Sequence, residues 1–324
     1  MDSQLIFDSS IENPLVTIAI PTYKRNEMLV EAINSALNQD TNIAYDVLVV
    51  DNNPERNDST EQAMRLFEKN PKVAYYKNEQ NVGMAGNWNR LYPLSKGKYV
   101  TMLHDDDLLF PYYLKVVQSL LMETNYKYEL IYPSLFFSNE RILPDKELPT
   151  QMRYRHIKRK DYLTRQWGIP SGMMILKSKF QITNGFKMDY YPINDQEFIY
   201  RALGYLKGCV VSFPLVFYYI GENESMRPDT ANKIVSQSKR FNVLIRKDKK
   251  NPWRLLTYLT YRYQINSISD WVFRLTNSED IVKSAKENIG FKKNKIKDSI
   301  SYRFVELLNR YLVLMHCHYF NVSK

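Results

Sequence analysis

Gly97-Lys98-Tyr99-Val100-Thr101-Met102-Leu103-His104-Asp105-Asp106-Asp107 is the stretch on which the fold turns. A short apolar run with the composition of a buried strand stops at a histidine and three carboxylates. Adjacent aspartates repel one another and have poor strand propensity, so they cost stability at the end of a core strand. Two readings offset that cost. A divalent cation of the Mg²⁺ or Mn²⁺ type would take the oxygens as ligands and share them with a substrate's phosphates. Alternatively, the acids form a solvated turn ahead of the next helix. The flanking segments choose between them.

Upstream, Leu15 to Ile20 is a β-branched run that Pro21 is expected to stop. Residues 26–38 carry Leu29, Ala32, Ile33, Ala36 and Leu37, the apolar stripe of a helix packed on a sheet. Asp46 to Val50 is a continuous apolar run ending at Asp51-Asn52-Asn53, and a helix is expected from about Ser59 to Lys69. Val73 to Tyr76 reads as a third strand and Met84 to Leu94 as a third helix. Tyr99 to Leu103 then makes a fourth strand and Pro111 to Met122 a fourth helix. Strands apolar on both faces alternate with helices across short connections, which predicts an α/β fold with a mostly parallel, doubly wound sheet. Ligands bind such sheets at the carboxyl ends of the strands. Three of the four ends are polar: Thr22-Tyr23-Lys24-Arg25, Asp51-Asn52-Asn53 and His104-Asp105-Asp106-Asp107. Their convergence favours the cation. With only 10 Gly and no glycine-rich phosphate loop, a diphosphate here would need a cation rather than a nest of N–H groups.

Residues 125–170 read as one strand, Leu130 to Phe137, followed by loop with a basic patch at Arg153, Arg155, Lys158, Arg159 and Lys160. Ser171 to Leu176 and Cys209 to Tyr219 read as further strands. Between them Pro192-Ile193-Asn194-Asp195 opens a helix carrying Phe198, Ile199, Ala202, Leu203 and Leu206, with Asp195 at or near its N-cap. Past Asp229 come helical stretches rich in Tyr, Lys and Arg, among them 252–275 and 299–320. In the second of these Phe304, Leu307, Leu308, Tyr311 and Leu312 form an amphipathic stripe.

The net charge of +10 lies entirely in the last quarter. From Arg240 onward there are 17 Lys/Arg against 7 Asp/Glu, which leaves 28 of each sign in the body. Such a basic end suggests an anionic membrane surface, a solvated helical face or a homo-oligomer interface. Nucleic acid is not expected, since the excess lies outside the cleft and no recognition motif is present. Two cysteines, Cys209 and Cys317, make no disulfide framework and no thiolate zinc site. The start Met-Asp-Ser-Gln-Leu-Ile-Phe-Asp lacks the pattern of a signal peptide, and the longest apolar runs are too short to span a bilayer. These features predict a cytoplasmic protein, with peripheral attachment to the inner face of the membrane through residues 240–324.

Val16 to Arg25, Val49-Val50-Asp51-Asn52, Asn81-Val82-Gly83 and Gly97-Lys98-Tyr99-Val100 leading into Asp105-Asp106-Asp107 fall in the order, and on the elements, of a known family. Over roughly residues 14–220 the chain resembles the GT-A fold, family 2 glycosyltransferases, the inverting type that includes bacterial makers of O-antigen and capsule. The resemblance implies a catalytic domain over 1–228, with a nucleotide-binding half (14–125) and an acceptor half (126–228), followed by a basic helical region over 229–324. It implies that Pro21, Thr22, Tyr23, Arg25, Asp51, Asn81, Gly83, Asn89, Asp105 and Asp106 bind the nucleotide, with Asp51 accepting a hydrogen bond from uracil. It implies Mn²⁺ or Mg²⁺ on Asp105, Asp106 and Asp107, Asp195 as general base, and Ser171, Gly172, Asn194 and Arg201 on the acceptor side.

The chain departs from the family pattern at three points: His104 stands where the metal motif commonly starts with Asp, Trp88 where an Arg precedes Asn89, and Asn194 where the base is preceded by Glu. The chemistry is consistent without the family. Inverting transfer is one in-line displacement that needs a base for the acceptor hydroxyl and an electrophile for the departing nucleoside diphosphate. The expectation is therefore transfer from a UDP- or dTDP-sugar to a saccharide or lipid-linked saccharide. The rivals are a nucleotide-sugar or glycan-binding protein of the same fold, and a nucleotidyltransferase, for which Pro21 to Arg25 is a poor triphosphate loop.

Overall fold

Strand β2 (Val16–Thr22) sits inside the sheet, buried along its whole length. Its alternation sends Val16, Ile18 and Ile20 into one core and Ala19 into another on the opposite face, as a strand covered on both sides requires. The computed structural model describes residues 3–165, 168–221, 227–314 and 317–322.

Around β2 the described strands are β1 (Ser3–Asp8), β3 (Tyr45–Asp51), β4 (Val73–Asn78), β5 (Tyr99–Met102), β6 (Leu108–Leu109), β7 (Leu130–Ser138), β8 (Gln151–Ile157), β9 (Met174–Leu176), β10 (Gly208–Tyr219) and β11 (Cys317–Asn321). They form one sheet in the order β1-β4-β3-β2-β5-β9-β7-β10-β8-β11, with β6 pairing β10. Strands β4, β3, β2 and β5 are parallel neighbours, and β7 and β10 continue in the same direction beyond the antiparallel β9. The expected mostly parallel α/β sheet is therefore present.

Helices α1 (Asn26–Leu37) and α4 (Tyr113–Glu123) close one face. The other is covered by α3 (Gly83–Leu94), α5 (Asn194–Ala202), α6 (Pro228–Lys247) and α7 (Thr257–Thr276). The short α2 (Ser59–Met64) packs on α1, with the Asp58 carboxylate accepting from the N–H of Glu61 at its start. Helices α8 (Glu279–Asn288) and α9 (Lys295–Leu314) complete the C-terminal layer, packing against α6 and α7 respectively.

Several local expectations are corrected. Strand β2 continues through Pro21, in register with Val50, because a proline at this point lacks only a donor. The helix expected over 59–69 gives way at Arg65 to a 3₁₀ turn. Residues 151–157, read as loop, form β8: Met152 and Ile157 are buried between exposed or half-buried basic and aromatic residues, and the patch hid this pattern. Asp195 lies near the N-cap, as expected, but within the first turn: the helix begins at Asn194 and Ile193 occupies the capping position.

The segment 299–320 is not one helix. Helix α9 ends at Leu314, and β11 then pairs with β8 and places Phe320 in the first core. Within α9 the inward residues are Ser301 and Val305, while Leu307 and Tyr311 of the expected stripe are exposed and Phe304 and Leu308 half-buried. The side chain of Leu312 lies outside the described residues. No described helix is long and apolar enough to cross a membrane.

Candidate active site

The carboxyl ends of β2, β3 and β5 open into a cavity of about 1070 Å³. Pro21, Thr22, Tyr23 and Arg25 reach its wall from the β2 loop, Asn81 and Gly83 from the start of α3, and Asp105 and Asp106 from the end of β5. Asn194 and Asp195 face it from α5. The sequence thus brought together most of the residues it singled out.

The three aspartates have different surroundings. Asp105 accepts from the Thr22 hydroxyl at 2.7 Å, and burial pushes its carboxyl up to about 7. Asp106 accepts from the Arg25 guanidinium at 2.5 Å, and its main-chain oxygen accepts from Arg141. Asp107 has no exposed surface; one oxygen accepts from the Tyr219 N–H at 3.0 Å, and burial holds its carboxyl well above the ordinary range. His104 stacks on Trp88 with ring centroids 5.5 Å apart, and its N–H donates to the Ser171 hydroxyl. Burial lowers the basicity of its imidazole, favouring the neutral, ligand-competent ring.

His104, Asp106 and Asp107 each offer a ligand atom, all lying within 4.8 Å of one another. His104 Nε2 and Asp107 Oδ2 are buried without a hydrogen-bond partner. Buried polar atoms left unmatched in this way fit a cation, and two carboxylates with one imidazole suit Mn²⁺ better than Mg²⁺, which takes oxygen ligands. The grouping differs from the one expected: Asp105 is turned to Thr22 and Arg25, and His104 takes its place.

Other expected residues stand behind the wall rather than on it. Asp51 has no exposed surface, and its carboxylate accepts from Tyr75, Lys77 and the Asn53 N–H. The wall position belongs to Asn52, whose amide joins Asn78, Asn81 and the Val82 N–H. Neighbouring strand residues point to opposite faces, so a shift of one residue exchanges core for cavity. Asn89 clamps both main-chain groups of Phe186, while Asn87 and Trp88 reach the wall. On the acceptor side, Ser171 lies beneath His104. Gly172 has φ +75°, and a Cβ there would stand 2.1 Å from Val216, so the residue serves the backbone path. Arg201 is committed to Glu197 at 2.8 and 2.9 Å and to the carbonyl of Gly185.

Asp195 lines the cavity with both carboxylate oxygens engaged. Oδ2 accepts from the Ile169 N–H at 2.8 Å and Oδ1 from the Gln196 N–H at 2.7 Å. Burial raises its affinity for a proton against these two hydrogen bonds. Sequence reasoning placed Asn52 at a polar strand end without assigning it to the site, and it missed Asn87, Trp88 and Tyr132, along with the contribution of α6 and α7 to the wall. The four-residue step from Gly83 to Asn87 along α3 was the available signal for the first of these.

The model of the family described as "Glycosyl transferase family 2" matches residues 17–181, half of the chain. The chain belongs to glycosyl transferase family 2. Within that family it is 30% identical over 193 residues to an uncharacterized glycosyltransferase of Methanocaldococcus jannaschii, a match covering 58% of this chain and 63% of the relative. The chain therefore spans less than two thirds of that relative's length. Solved structures share the fold, two of them as follows. S. aureus TarS 1-349 in complex with UDP-GlcNAc has a TM-score of 0.54 at 16% identity, with 91% of each chain covered. The mannosyltransferase PcManGT of Pyrobaculum calidifontis, in complex with GDP-Man and Mn²⁺, has a TM-score of 0.53 at 14% identity, covering 96% of this chain and 90% of that one. The match ends at residue 181, so Asp195 and the C-terminal helices lie beyond it.

Proposed function

We propose that this member of the family is an inverting glycosyltransferase that moves a sugar from a UDP- or dTDP-sugar to a saccharide hydroxyl. The observation that carries the reading is one cavity lined by Arg25, by His104 and Asp106 of the candidate cation cluster, and by Asp195 with its buried carboxylate. The solved neighbours with UDP-GlcNAc and with GDP-Man and Mn²⁺ support a nucleotide-sugar donor and a metal. When bound, Mn²⁺ or Mg²⁺ would offset the negative charge of a diphosphate, held by Asp106 with His104 and Asp107.

The chain's own residues supply the remaining chemistry. Two N–H groups fix the Asp195 carboxylate, and burial makes it a better proton acceptor than a solvated aspartate. Asp195 takes the proton of the acceptor hydroxyl as that oxygen bonds to the anomeric carbon. The bond from that carbon to the diphosphate breaks on the opposite side, so the configuration inverts. Arg25 reaches the cavity with its guanidinium and places a fixed positive charge where the leaving group's charge develops.

The test combines UDP-, dTDP- and GDP-sugars with Mn²⁺ in a thermal-shift screen, followed by turnover with the donor that stabilises the fold. Stabilisation by a UDP- or dTDP-sugar with transfer to a saccharide supports the reading. Binding without transfer or donor hydrolysis would make the chain a nucleotide-sugar-binding protein.

We further infer peripheral attachment to an anionic membrane through α9. Ile296, Ile300, Tyr302, Leu307 and Tyr311 are exposed on this helix, beside exposed Lys292, Lys293, Lys295, Lys297 and Arg303. Apolar side chains amid basic ones suit the interface of an anionic bilayer, at about 1 kcal/mol per lysine or arginine near the surface. A lipid-linked acceptor and a cytoplasmic, inner-leaflet location go with this reading.

A further inference from the structure

The wall that carries Asp195 also includes the C-terminal helices. Tyr263, Gln264, Ser267, Ile268 and Trp271 line it from α7, and Ile234 from α6. Their spacing along α7 (i, i+1, i+4, i+5 and i+8) is one stripe of a helix. The adjoining stripe, with Ile265, Ser269 and Val272, is buried in the second core. Helix α7 is therefore packed on one side and presents a mixed aromatic and polar side to the cavity.

That stripe is tied to the loop that orients Asp195. The Gln264 amide donates to the carbonyls of Tyr162 and Leu163 at 2.8 and 2.9 Å. The same loop supplies Thr164, Arg165, Gly168 and Ile169 to the wall, and the Ile169 N–H holds Asp195. Tyr162 and Leu163 thus anchor α7, and Ile169 anchors the carboxylate. Trp88, at the donor end, is already packed between His104 and Phe186. Among the described residues no ring or cation packs on Trp271, which lines the cavity half-buried and also packs against the edge of the second core.

We propose that the cavity-facing side of α7, with Trp271 as its stacking platform, is the subsite that holds the sugar ring of the acceptor. The inference rests on the transferase reading above. An indole or phenol face packs on the C–H face of a pyranose, while Ser267 can hydrogen-bond a hydroxyl. An alkyl chain would suit an unbroken apolar wall better, and Ser267 and Gln264 interrupt this one.

The full chain is tested with methyl, p-nitrophenyl and decyl glycosides of glucose, galactose, N-acetylglucosamine and mannose. Binding is read by saturation-transfer NMR, and transfer is measured with the stabilising donor. UDP binding with Mn²⁺ is measured separately by thermal shift. For Trp271→Ala we expect acceptor affinity to fall about tenfold, the UDP shift to stay within error, and Trp271→Phe to retain most of the affinity. The sugar-ring protons should carry the saturation signal, and it should be lost in the alanine variant. Binding that depends on Trp271 without transfer would keep the subsite and discard the role of Asp195. The subsite is overturned by unchanged acceptor affinity in Trp271→Ala, by parallel loss of the UDP shift, by affinity that follows alkyl length rather than sugar, or by binding of no glycoside.

Discussion

The Arg25 guanidinium lies 2.5 Å from the Asp106 carboxylate and 3.6 Å from that of Asp105, so the acids at the end of β5 already have a cation. The repulsion evident in three consecutive aspartates is offset in part by a side chain from the end of β2, some eighty residues earlier. Arg25 and a divalent ion would then compete for the same oxygens.

This competition has a measurable sign. Arg25→Met should lower the melting temperature in EDTA, because Asp106 loses its partner, and should enlarge the rise produced by Mn²⁺. A shift per millimolar Mn²⁺ no larger than that of the parent would mean that the ion does not use Asp106.

Asp195→Asn preserves the volume of the side chain and an oxygen for the Ile169 N–H. Loss of a general base lowers turnover by about 10²–10⁴-fold. The UDP-induced thermal shift should remain, since the proposed diphosphate site is formed by Arg25 with His104, Asp106 and Asp107. Turnover within a factor of a few of the parent would assign the base elsewhere.

Lys77 is 1% exposed and donates to Asp51 at 2.8 Å and Asp58 at 2.9 Å. Lys77→Met removes the cation and leaves two carboxylates, one of them fully buried, without it. The cost is about 3–5 kcal/mol, measured by urea denaturation. A loss under 1 kcal/mol would show that the acids rehydrate or take up protons cheaply.

Asp46 gives stability a pH dependence. Burial raises its carboxyl from 3.8 to about 6, and Oδ1 has no hydrogen-bond partner. The folded state therefore binds the proton more tightly than the unfolded chain. Its contribution is fully present below the unfolded value and is lost as pH rises through about 6. The melting temperature of the parent minus that of Asp46→Asn should fall from pH 4 to pH 8, by the equivalent of up to about 3 kcal/mol. A flat difference would place the titration on other groups.

Membrane attachment is tested by charge reversal rather than truncation, because α6, α7 and β11 are built into the cores. Replacing Lys292, Lys293, Lys295 and Lys297 with glutamate should abolish flotation with phosphatidylglycerol vesicles and leave the melting temperature within a few degrees. Undiminished flotation would discard the interface, and a change of oligomeric state would assign this face to a second copy of the chain.

The alternation of apolar runs with helical stripes determined the parallel half of the sheet and the convergence of its polar strand ends, because those patterns depend on neighbours within a few residues. The run from His104 to Asp107 announced a charged site for the same reason. Which atoms that site uses depended on the fold. Thr22 and Arg25 draw Asp105 and Asp106 toward β2, leaving His104 and Asp107 with unmatched buried atoms. Asp51 and Asn52 differ by one position, yet the pairing of Asp51 with Lys77 sends one inward and the other to the cavity. The C-terminal helices look like a basic appendage in sequence because charge is counted along the chain. Only packing reveals that their apolar side completes a core and that one stripe of α7 walls the cavity that Asp195 lines. Local pattern specifies elements; contacts between residues far apart in the chain decide which side chains remain available for chemistry.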